Sequence, residues 1–173
     1  LILNEGAKGM WKVMIPVIIG FVVMSAAMWA YWGDLDSSTT PKYIAPVTTA
    51  IYIAAYFLLK AEDEVDDGIS EFKMGLNIDD KPSLVAMALV VVMGVWYSFM
   101  SLVMPEDRIE AFGLGEASQE MLDAGLGAPS TVTVAVSGSL FLVYTIWTAM
   151  VVLDGAKGKW SILHPGIFFL ITA

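Results

Sequence analysis

Two pairs of methionines stand four residues apart, Met24 with Met28 and Met100 with Met104. Residues at this spacing share a helix face, so each pair would present two polarizable thioethers together, the donor type that selects a soft metal such as copper(I). Methionine, of which the chain has 11, is also the ordinary filler of irregular apolar gaps. The single histidine, His164, precedes Pro165 and would need ligands from elsewhere to hold a metal. The acids Glu62, Asp63, Glu64, Asp66 and Asp67 do not follow the D-x-[DN]-x-[DN]-G spacing of a calcium loop and read as a solvated face. Cysteine is absent, which excludes a thiolate metal site, a disulfide framework and a cysteine nucleophile.

The Met-x-x-x-Met spacing resembles that of copper uptake channels over five residues, and the rest of the chain does not follow that family. The resemblance implies copper handling at Met24, Met28, Met100 and Met104. Hydroxyls at Ser25, Thr48, Thr49, Ser98, Ser101, Ser137, Ser139, Thr145 and Thr148 could line a neutral pathway. Such groups in apolar helices more often bond to their own backbone or join helices. The spans that carry them contain no Asp, Glu, Lys, Arg or His. Intramembrane charges mark proton relays and coupled transport, so their absence argues against a pump, a proton-coupled transporter or a heme-ligating subunit. No phosphate-binding glycine loop, H-E-x-x-H or G-x-S-x-G occurs. No enzyme activity, catalytic residue or cofactor site is expected from these residues.

The elements that would position these residues follow from hydropathy. With 57% hydrophobic and 16% charged residues and a mean hydropathy of +0.71, the chain is far less charged than a soluble domain. Its apolar residues gather into uncharged blocks at 13–32, 43–59, 83–104 and 131–153. Each is long enough, at about 1.5 Å per residue, to cross a hydrocarbon core of about 30 Å, the second and shortest with little tilt. A fifth block, 161–173, has only the beginnings of a span. A terminal carboxylate at that depth would be costly, so further chain beyond Ala173 is expected. The expected fold is an all-α, polytopic transmembrane helical bundle with four full spans and a partial fifth.

Short cytoplasmic loops collect Lys and Arg. A cytoplasmic N-terminus places Lys8, Lys12, Lys60, Lys73, Lys81, Lys157 and Lys159 inside and leaves only Lys42 and Arg108 outside. The plasma membrane is the expected location. Trp29, Tyr31 and Trp32 then form an aromatic belt at the outer end of the first span. The outer loop 105–130 is long enough for a short helix from about Glu116 to Ala124 and is the expected external contact surface. The net charge of −9 lies mostly in loops and excludes a basic nucleic-acid surface.

The segments Leu3-Asn4-Glu5-Gly6-Ala7-Lys8-Gly9-Met10-Trp11 and Leu153-Asp154-Gly155-Ala156-Lys157-Gly158-Lys159-Trp160 resemble each other, and each leads into an apolar stretch with a proline. Tyr52, Tyr56 and Phe57 parallel Phe141, Tyr144 and Trp147, and Pro41 parallels Pro129. Two-helix hairpins are therefore the expected unit, repeated in the same orientation about the membrane normal. Small residues four apart, at Ala45 and Thr49, Ala50 and Ala54, and Gly94 and Ser98, predict close helix association. The expectation is a non-catalytic structural or accessory subunit packing against other membrane subunits or its own copies. The rival is a channel or transporter for a neutral solute or a soft metal such as copper.

Overall fold

The computed structural model describes residues 14–32, 40–61, 78–111, 113–124 and 130–154, and within them every regular element is helical. The elements are α1 (Met14–Tyr31), α2 (Thr40–Ala61), α3 (Lys81–Val103), α4 (Pro105–Ala111), α5 (Leu114–Asp123) and α6 (Thr131–Asp154). Of these, α1, α3 and α6 are long and apolar enough to cross a membrane. The apolar part of α2, Lys42–Leu58, is shorter. The fifth apolar block, the acidic run 62–67, His164 and residues 3–11 and 155–160 of the related segments lie outside the described residues.

Local chemistry sets the helix ends. The Asp80 carboxylate accepts from the Ser83 amide at 3.0 Å, capping α3, and Pro82 occupies a first-turn position whose amide has no intrahelical partner. Hydrogen bonding to Ser83 lowers the Asp80 pKa from its ordinary value. At the other end Pro105 disfavours helical geometry at Met104, whose φ of −132° and ψ of 56° stop α3, and then begins α4. Ser130 caps α6 reciprocally: its hydroxyl accepts from the Thr133 amide at 3.2 Å, while the Ser130 amide donates to the Thr133 hydroxyl at 2.8 Å. Gly113 separates α4 from α5 with φ of 65°, which glycine adopts without steric penalty. Where the sequence predicts one short helix in 105–130, the chain forms two, because Pro105 restarts the helix directly after Met104.

The four long helices neighbour one another in the order α3, α6, α1, α2. Helix α6 is central and carries the most buried residues, including Ala135, Ser139, Thr148 and Val151. No comparable packing joins α2 to α3 among the described residues, so the arrangement is open at both ends. Each end presents apolar side chains: Val47, Ile51 and Leu58 on α2, and Val92, Trp96 and Val103 on α3. Helix α4 leans on α3 and α6, and α5 on α4.

Candidate functional site

The seam between α3 and α6 sets a glycine of each helix against side chains of the other. A Cβ on Gly94 would overlap the Thr145 side chain, and one on Gly138 would lie 2.5 Å from the Ser101 Cβ. The contacts Gly94 with Thr145, Tyr97 with Phe141 and Ser101 with Gly138 run in opposite directions along the two helices, which are therefore antiparallel. The α1–α6 seam uses the same device, since a Cβ on Gly20 would overlap Val143. In lipid, where apolar burial gives no helix–helix driving force, this close approach of backbones is the main source of association.

The α1–α2 seam is different. Phe21 stacks on Tyr52 at 5.4 Å, Trp29 meets Tyr43 edge-on at 5.5 Å, and the Lys42 ammonium lies 4.1 Å from the centre of the Trp29 ring. Between these rings Ser25 and Thr49 face each other at 3.4 Å.

Most of the hydroxyls that could have lined a pathway are engaged locally. Ser25, Thr49, Ser101, Thr145 and Thr148 each donate to the carbonyl four residues back, and Ser137 and Ser139 to the carbonyl three back, at 2.6 to 2.9 Å. Ser101 and Ser139 are fully buried at helix contacts. Among the described residues, the buried Ser98 Oγ and Trp32 Nε1 have no hydrogen-bond partner.

At the end of the layer that carries Tyr31, whose hydroxyl donates to the Leu102 carbonyl at 2.9 Å, the chain places its one arginine. Arg108 folds back from α4 onto α3, donating to the Tyr97 carbonyl at 2.9 Å and to the Ser101 hydroxyl. Its guanidinium lies 3.6 Å from the centre of the Tyr97 ring. Burial lowers its pKa, opposed by the interaction with Tyr97, yet arginine remains cationic because its ordinary pKa is so high. In the sequence Arg108 stands out only as a basic residue of a connecting segment. Its contact with Tyr97 crosses a helix break, so no single-helix periodicity could reveal it.

No family model, curated protein or solved structure matches this chain.

Met24 and Met28 are half-buried on α1, Met100 is half-buried on α3, and Met104 caps α3 with 38% exposure. The two pairs belong to helices that pack chiefly on α6 rather than on each other. No group of three or more His, Asp or Glu side chains suited to a metal gathers among the described residues.

Proposed function

We propose that this chain is an integral-membrane, non-catalytic structural or accessory subunit of a larger membrane complex. The observation that carries the reading is the division of its surface: most hydroxyls of the apolar helices bond their own backbone, while both ends of the open layer present apolar side chains. A bilayer-embedded scaffold needs this division, whereas a polar pathway needs hydroxyls that face a lumen. In this reading the N-terminus is cytoplasmic, the layer lies in the plasma membrane as four spans with 161–173 entering a fifth, and α4 and α5 form the external contact surface. Purification in mild detergent should recover other chains at constant stoichiometry. Recovery of this chain alone, or only with copies of itself, would sink the subunit reading.

The spans are proposed to be two copies of one hairpin. Phe21 and Ser25 on α1 recur as Tyr97 and Ser101 on α3, each 76 positions on, and in both cases the serine donates to the aromatic residue's carbonyl. Thr49 and Tyr52 on α2 recur as Gly138 and Phe141 on α6, each 89 positions on. The partner rings correspond as well: Phe21 with Tyr52, and Tyr97 with Phe141 at 5.2 Å. Around them, residues 47–53 read V-T-T-A-I-Y-I and residues 136–142 read V-S-G-S-L-F-L. The difference between the two offsets, 13 residues, is extra chain between corresponding positions of the second hairpin, whose connection carries α4 and α5.

One observation favours the transport alternative. Met24 and Met28 fall at the same repeat positions as Met100 and Met104. Replacing Met24 and Met100 by Leu should abolish copper-dependent uptake into vesicles if these pairs conduct copper, and unchanged uptake would remove that reading.

A further inference from the structure

The repeat assigns a meaning to the two open ends of the layer. Within the chain the hairpins meet where α6, the second helix of one, packs on α1, the first helix of the other. At that seam Ser139 and Val143 of α6 face Gly20 of α1, and the Val143 side chain occupies the space that a side chain at Gly20 would need. The repeat offsets carry Ser139 and Val143 onto Ala50 and Ala54 of α2, and both alanines are exposed. They carry Pro16, Gly20 and Ala27, the buried residues of α1, onto Val92, Trp96 and Val103 of α3. Those three are 65%, 62% and 58% exposed. Thus the free face of α2 corresponds to a surface that accepts a first helix, and the free face of α3 to a surface that is accepted by a second helix.

Sizes are exchanged in a complementary way. The internal seam brings a large residue from α6, Val143, against a small one from α1, Gly20. At the free faces the small residue is on α2, Ala54, and the large one on α3, Trp96. A tryptophan over an alanine again pairs a large side chain with a small one, with the roles reversed and the backbones further apart, and packing of helix on helix contributes to association in lipid.

We infer that α2 of one copy of this chain docks α3 of a second copy, head to tail, repeating the α6–α1 seam between chains. Hairpins repeated in the same membrane orientation allow the second copy to lie in the same bilayer the same way up. The contact is heterologous, joining unlike faces, so two copies close about a two-fold axis only if both copies use both faces. The inference rests on the repeat reading, and it names one neighbour for the proposed subunit.

The absence of native cysteine makes the test direct. Val47 on α2 and Val103 on α3 are both 58% exposed and, by correspondence with the α6–α1 seam, should lie near each other across the contact. A full chain carrying Val47→Cys is co-expressed with one carrying Val103→Cys, and membranes are treated with a short bifunctional thiol reagent. The expected product is a crosslinked pair containing one copy of each, with little product from either variant alone. Ala54→Phe, which replaces the small residue on an exposed face, should lower its yield at least about tenfold, the usual scale of overpacking. Trp96→Ala should also lower it.

Crosslinking of either single variant to itself, in place of the mixed product, would show like faces meeting and overturn the inference. Absence of any product between copies would overturn it too, whether lipid or another protein covers the faces. The repeat reading fails separately. Cysteine pairs replacing Phe21 with Tyr52, and Tyr97 with Phe141, test the corresponding contacts inside one chain, and it falls if one pair crosslinks and the other does not. Copurification of other subunits is independent of both results.

Discussion

The α3–α6 and α1–α2 pairs are both antiparallel and each carries a ring pair, yet only the first is also drawn together by glycines. Glycines bring the α3 and α6 backbones together until Gly94 lies under Thr145 and Gly138 under Ser101. Rings fill the space between α1 and α2, with Phe21 on Tyr52 and Trp29 on Tyr43. A glycine seam gains dispersion energy from many atom pairs at short range and tolerates no added atom. An aromatic seam rests on a few large contacts and leaves room to adjust. Two antiparallel helix pairs can thus hold together with unequal tolerance.

The largest effect should come from adding a side chain to the tight seam. Gly94→Leu is expected to destabilise the α3–α6 pair by about 3 kcal/mol or more, or to prevent its formation, because the new atoms overlap Thr145. Denaturant unfolding in detergent micelles measures this. A loss below about 1 kcal/mol would mean that the backbones can separate cheaply and that the contrast between the seams is unreal.

A smaller effect is expected from the aromatic seam. Tyr52→Ala removes the ring stacked on Phe21 and should cost about 1 kcal/mol, the scale of a single aromatic pair. If it costs as much as Gly94→Leu in the same unfolding experiment, the α1–α2 contact is as exacting as the other.

The smallest effect lies at the entrance to α3. The pKa of Asp80 is lowered in the folded chain by its hydrogen bonds to Ser83, so its contribution is complete above the ordinary aspartate value of about 3.9. That contribution is lost as pH falls through the lowered folded-state value. The protection of first-turn amides of α3, read as exchange relative to the intrinsic rate at each pH, should therefore fall at low pH, and Asp80→Ala should remove this pH dependence. An unchanged pH profile in the variant would show that the cap contributes nothing there.

Much of this architecture was legible as apolar length. The blocks 13–32, 83–104 and 131–153 contain or nearly coincide with α1, α3 and α6. Helix α2 begins at Thr40, ahead of its apolar block, because Pro41 in a first turn gives up no intrahelical bond. The connection between α3 and α6 was less legible, since the restart at Pro105 depends on the Met104 backbone and on Arg108 reaching back to Tyr97. The proposed repeat shows in the sequence only through its paired aromatics. Its proposed register rests on Phe21 against Tyr52 and Tyr97 against Phe141, because two unequal offsets, one for each helix of the hairpin, hide it from a search at a single period.

Sequence alone determined that this chain makes long apolar helices without charges inside them. Such helices satisfy their own backbone and so suit a solvent that offers no hydrogen bonds. Tertiary structure decided which helix lies beside which. Ala45 with Thr49, Ala50 with Ala54, and Gly94 with Ser98 look equivalent along the chain, yet Ala45, Thr49 and Ser98 are buried while Ala50 and Ala54 remain exposed. The physical reason is that a small residue only permits close approach. The neighbour that takes up the permission is chosen by the shape of the opposing surface, and that surface exists only when the helices have assembled.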